Sequence, residues 1–135
     1  MANRIAEIEG IDAKHARTLQ GAGVETTDDL LKHAGAPQGR KTLAEKVGVQ
    51  PSMLLEWVNR ADLMRIKGIG MEYSDLLEES GVDSTKELAA RVPTNLHTKM
   101  EEINNRKHLV QRTPTLNDVE HWVTDAKKLP QMVTH

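Results

Sequence analysis

Set against itself, the sequence matches at a fixed offset, and this register limits the possible folds more than any other feature. Ile5, Ile8, Gly10 and Ile11 line up 58 positions on with Leu63, Ile66, Gly68 and Ile69. The match continues through Leu19 with Leu77, Gly23-Val24 with Gly81-Val82, Thr27 with Thr85 and Leu30 with Leu88. The offset then grows to 65, where Glu56-Trp57-Val58 meets His121-Trp122-Val123, so the second copy carries about seven extra residues, most simply near Asn104 to Thr113. Such a repeat makes each copy one supersecondary unit, over residues 1–61 and 62–135.

Each copy reads as short helices parted by glycine and proline. In the first, a helix over 13–20 places Ala16 and Leu19 on one face and stops at Gly21-Ala22-Gly23. Thr26 or Thr27 caps the next, with Asp28 and Asp29 suited to the positive end of its dipole. That helix runs to Ala34, where Gly35-Ala36-Pro37 breaks it, and a third spans 37–47 before the turn Gly48-Val49-Gln50. The last starts at Pro51, with Leu54, Leu55, Val58, Ala61 and Leu63 at helical spacing and no break before Gly68. One continuous helix is therefore expected to close the first copy and open the second. There the expected helices are 74–80, one capped by Ser84 or Thr85 and reaching Arg91, 95–105 after a break at Pro93, and one from Thr115 to Lys128. No segment alternates over a strand length. The expected class is all-α, two tandem five-helix units sharing a long central helix.

Composition removes several functions. The chain has no cysteine, which excludes disulfides and thiolate metal sites. Its aromatics are Trp57, Tyr73 and Trp122, too few for a base-stacking platform. No stretch approaches a membrane span and no signal-peptide pattern opens the chain, so a cytoplasmic location is expected. His15, His33, His97, His108, His121 and His135 form no metal-ligand spacing, and no nucleophile or Walker motif is present. Neither a metal, nor a cofactor, nor enzymatic activity is expected. The net charge is −2: eight basic and eight acidic residues through Ala61, ten and twelve after it. Neither half has the basic excess usual in a dedicated DNA binder.

The pattern apolar-x-x-apolar-x-Gly-apolar-Gly, written in the second copy as Leu63-Met64-Arg65-Ile66-Lys67-Gly68-Ile69-Gly70, is the most specific local motif. Two glycines allow a sharp turn between helices, the apolar residue plugs the interface, and the next helix presents N–H groups to an anion. Residues 5–61 resemble the N-terminal helix-hairpin-helix domain of strand-exchange recombinases. The carrying residues are Ile8-Glu9-Gly10-Ile11, the run from Leu19 to Leu30, and Val47-Gly48-Val49. The whole chain is similar to a bacterial family of uncharacterised tandem helix-hairpin-helix proteins. The resemblance implies two hairpins per unit. From the chemistry of the glycine turns and their nearby cations, a non-enzymatic module that contacts nucleic-acid backbone without reading sequence is expected, through Gly10, Ile11, Lys14 and Arg17 in the first copy and Arg65, Lys67, Gly68, Ile69 and Gly70 in the second.

This sequence departs from the pattern in places. Asp12 stands where the first copy's second glycine belongs, and Met71-Glu72 follows the glycine pair of the second copy where DNA-binding members often carry a cation. The second copy's other hairpin becomes Arg112-Thr113-Pro114-Thr115, without glycine. A helix-turn-helix spacing over 42–57 would aim Gln50, Pro51, Ser52, Leu55 and Glu56 at bases, with no Arg or Lys among them. The most basic stretch runs from Lys99 through Arg106, Lys107, His108 and Arg112 to Lys127 and Lys128. The alternative function is a protein-interaction or scaffolding module, which predicts an exposed apolar patch around Met53, Met64 or Met71. Trp57 and Trp122 are expected to pack in the core.

Overall fold

The computed structural model describes residues 3–8 and 10–135. Among them it is all-helical: a 3-10 turn, Ile5–Glu7, then α1 Ala13–Gly21, α2 Thr27–Ala34, α3 Pro37–Val47, α4 Pro51–Leu63, α5 Met71–Glu79, α6 Thr85–Ala89, α7 Pro93–Lys107 and α8 Leu116–Lys128. The only strand-like pairing among the described residues is an isolated bridge between Arg4 and Thr26.

Local chemistry explains the boundaries. Asp12 caps α1 by accepting from the His15 amide at 2.8 Å. Thr26 with Asp29, and Thr115 with Asp118, close reciprocal capping boxes at α2 and α8. Ser84 caps α6 by accepting from the Glu87 amide. Helices α3, α4 and α7 open with a proline in the first turn, where the missing N–H costs nothing. Pro93 thus starts α7, which was expected only from residue 95 and extends to Lys107.

The expected continuous helix into the second half does not form. Helix α4 stops at Leu63, and the amides of Arg65 and Ile66 bond back only three residues, to Asp62 and Leu63 at 3.2 Å each. These tight turns lead into Gly68, at φ 95°. Each half therefore carries four α-helices. The first adds its 3-10 turn, whereas the second opens on hydrogen-bonded turns at 64–68. Helix α5 also begins three residues before the expected Ser74, and α6 ends at Ala89 rather than Arg91.

The buried apolar side chains fall into two clusters. One gathers Ile5, Leu19, Leu30, Leu54, Trp57 and Val58, among others, and the second gathers Leu63, Leu77, Leu88, Met100, Trp122 and Val123. Helix α4 feeds both, with Trp57, Val58 and Ala61 in the first and Leu63 in the second. Each fully buried Leu or Ile contributes roughly 1.5–3 kcal/mol.

Two buried charged residues tie distant segments together. The Asp62 carboxylate, 2 % exposed, accepts from the Thr85 amide at 2.7 Å, the Thr85 hydroxyl at 3.0 Å and the Arg65 guanidinium at 2.8 Å. In the first half the corresponding Thr27 amide donates instead to the Asn3 carbonyl at 2.9 Å. The Arg40 guanidinium is also buried, and desolvation lowers its pKa. It donates to the carbonyls of Ala34, Gly35 and Thr134, two of which end α2, where a cation is favoured.

Candidate functional site

The two glycine turns share one geometry. Gly10 and Gly68 take φ 94° and 95°, a left-handed conformation that favours glycine. A tryptophan lies beneath each: a Cβ on Gly10 would stand 3.4 Å from Trp57 Nε1, and one on Gly68 would stand 3.2 Å from Trp122 Nε1. Each tryptophan also meets a ring from the next helix, His15 at 5.4 Å on Trp57 and Tyr73 at 5.3 Å on Trp122. Ile11 and Ile69 follow the positive-φ glycines and are buried, and their amides donate within the turn to the Ile8 and Ile66 carbonyls at 3.2 and 3.1 Å.

The second glycine of the motif has a different use from the one expected. Gly70 sits at φ −98° with nothing within 4 Å of where a Cβ would be, so the turn does not require glycine there. Its role is to cap α5 without a side chain. At the corresponding position Asp12, at φ −80°, caps α1 with its own carboxylate, which accepts from the His15 amide. The His15 amide bond holds that carboxyl below its ordinary pKa, with a further contribution from the nearby imidazole. The first turn is thus satisfied from within. Among the described residues, α5 is the only α-helix that begins with neither a side-chain cap nor a proline.

Residues 64–70 and Asn3 line one open groove of about 570 Å³. It gathers Arg65, Lys67, Gly68, Ile69 and Gly70, whereas Gly10, Ile11, Lys14 and Arg17 do not line it. Lys67 is exposed, as are Lys14 and Arg17 beside the first turn. Arg65 is engaged: besides Asp62 it donates to the Pro130 carbonyl at 2.9 Å, and its side chain is only 11 % exposed. A cation the motif did not include lies on the loop before α8: the Tyr73 hydroxyl donates to the Arg112 carbonyl at 2.9 Å, and the Arg112 side chain is exposed. Arg112 also helps lower the Asp118 pKa, after the larger contribution of the Thr115 amide.

The loop before α8 also departs from expectation. The left-handed turn that Gly48 makes after α3 is made after α7 by His108, at φ 51°, and not by 112–115. Asn104 secures this loop, accepting from the Val110 amide at 2.9 Å and donating to its carbonyl at 3.1 Å. The members of the basic stretch sit on different elements: Lys107 ends α7 and pairs with Glu79 at 3.1 Å, Arg112 lies in the loop before α8, and Lys127 and Lys128 end α8. In the helix-turn-helix spacing, Leu55 packs against the first core, while Gln50, Pro51, Ser52 and Glu56 are exposed. His15 and His97 are not plain surface residues, since His15 meets Trp57 and His97 Nε2 lies 3.0 Å from the Pro114 carbonyl. No group of three or more His, Asp or Glu among the described residues could hold a metal ion. Among the same residues no helix is long and apolar enough to cross a membrane.

A family model covers residues 9–129, nearly the whole of this architecture. The chain belongs to the family described as a domain of unknown function (DUF4332). No curated protein and no solved structure matches it. In this DUF4332 chain one glycine turn is capped by Asp12 and the other, at Gly70, has no side-chain cap.

Proposed function

We propose that the chain is a non-enzymatic binding module made of two helix-hairpin-helix units, residues 1–61 and 62–135. In this reading the glycine hairpin of the second unit, residues 63–70, holds nucleic-acid backbone without reading sequence. The shared glycine–tryptophan geometry at Gly10 and Gly68 supports the two-unit reading. The observation that carries the functional reading is the uncapped start of α5 at Gly70, in a groove that exposed Lys67 also lines, with the Arg112 backbone bonded to Tyr73 of the same helix. Its amides and dipole offer a phosphate the partners that Asp12 supplies to α1. The first hairpin serves as a weaker contact through Lys14 and Arg17.

With about two phosphates neutralised, affinity falls with roughly the second power of salt concentration, or about tenfold between 50 and 200 mM. Fluorescence anisotropy with labelled mixed-sequence duplex at those two salts tests this. Binding that does not weaken between them would sink the proposal.

A protein-interaction module is the second reading, favoured by a shallow groove of about 490 Å³ lined by Asn3, Ala6, Glu7, Met64, Gly70 and Met71. Met53 and Met71 are 40 % and 42 % exposed, whereas Met64 is buried. This reading predicts no response to DNA at any salt.

A further inference from the structure

The segment after α8 returns to the first half of the chain. Val133 is 4 % exposed and belongs to the first apolar cluster, whose other buried members all lie between Ile5 and Met64. The Thr134 amide donates to the Gly35 carbonyl at 2.9 Å, and the Arg40 guanidinium binds the Thr134 carbonyl. Both polar groups of one residue are thus paired, as in a strand laid against a sheet edge. A Cβ on Gly35 would fall 2.1 Å from the Met132 carbonyl oxygen, so the missing side chain lets the segment pass. Outside this site the segment is held by packing of Leu129 on the second apolar cluster, the bond from Arg65 to Pro130 and an internal one from the Gln131 side chain to the Val133 carbonyl.

We propose that the end of α2 and the start of α3 form a peptide-binding groove, and that residues 132–134 are its resident ligand. The ligand class is an extended peptide carrying a small β-branched side chain, followed by a residue whose N–H meets Gly35 and whose carbonyl meets Arg40. A tethered segment sees its groove at an effective concentration of millimolar order. A weak ligand therefore stays seated while remaining exchangeable.

Two measurements test this. In native-state hydrogen exchange on the unaltered chain, the Thr134 amide should exchange roughly 100-fold or more faster than that of Val58, through a local opening insensitive to low urea. Exchange of both amides at one rate with one urea dependence would overturn the proposal. In the second, Val133→Asp ejects the segment, and a synthetic peptide of residues 129–135 is titrated in while amide signals are followed by NMR. Saturable shifts at Gly35 and Arg40, absent with a peptide carrying the same Val→Asp change, are expected. No shift at several millimolar peptide would contradict the groove. So would loss of the whole helical signal on Val133→Asp, which would make the segment part of the core.

Discussion

Replacing Gly70 with Asp should raise stability and lower nucleic-acid affinity at the same time. The substitution copies Asp12 into the second turn, where a Cβ meets nothing within 4 Å and φ is −98°. Glycine is already a fair N-cap, so the new side-chain bond adds only a few tenths of a kcal/mol. A carboxylate at the helix start adds about 0.3–1 kcal/mol, and loss of glycine's freedom in the unfolded chain about 0.4–1 kcal/mol. These contributions overlap, and a net gain of about 1 kcal/mol is expected, equivalent to about 4 °C in midpoint for a domain of this size. The same carboxylate occupies the amides a phosphate would use. A charge-assisted hydrogen bond contributes about 1.5–3 kcal/mol, so DNA affinity should fall about tenfold or more. Urea and thermal unfolding followed by circular dichroism read the first quantity, and anisotropy with labelled duplex reads the second. A stabilised variant with undiminished affinity would refute phosphate binding at α5. A variant destabilised by about 1 kcal/mol would refute the claim that Gly70 has no conformational duty.

Other consequences follow from the same geometry. Asp62→Ala leaves Arg65 and the Thr85 amide without their buried partner, and should cost about 3–5 kcal/mol in urea unfolding; a loss under about 1 kcal/mol would contradict the role given to Asp62. Gly68→Ala forces a side chain into φ 95° against Trp122 and should cost at least about 1–2 kcal/mol, whereas Gly70→Ala should be nearly neutral. The capping carboxylates Asp29 and Asp118 have folded pKa values below their ordinary 3.8. Their contribution is present above that value and lost as pH falls through the lowered ones, so acid unfolding should steepen below pH 3.8. Glu78, raised by burial, acts in the opposite sense, and Asp29→Asn with Asp118→Asn should flatten the acid limb in a pH-dependent urea titration.

Helix type and several boundaries could be read from the residues because local chemistry sets them. The proline starts at 37 and 51, the Thr26 and Thr115 caps and the glycine stop after α1 all act within one turn of their own position. The end of α4 could not be read in this way. Nothing in the sequence from Pro51 to Gly68 breaks a helix, and the turn at 64–66 coincides with a partner 23 residues on, Thr85 on Asp62. The site showed the same division. Periodicity and glycine spacing exposed the turns, and the equal offset of His15 and Tyr73 was available as a signal for the ring on each tryptophan. The extra residues of the second half hid the rest. They lengthen α7 and the loop before α8, bringing the Arg112 carbonyl to the Tyr73 hydroxyl of α5, a contact spanning 39 residues. Arg65 matched the expected chemistry by residue type, but its partners Asp62 and Pro130 depend on the fold.

In the proposed function the glycine turn at 68–70, rather than the one at 10–12, holds the phosphate backbone. Anisotropy with labelled duplex at low salt should compare the unaltered protein with Lys67→Glu/Arg112→Glu and with Lys14→Glu/Arg17→Glu, each checked for native helicity. A loss of about tenfold or more in the first pair and only a few-fold in the second is the predicted result, since each reversed contact near the amides removes roughly 1–2 kcal/mol. Equal losses, or a larger loss at Lys14 and Arg17, would contradict the assignment, and absence of binding by the unaltered protein would contradict it outright.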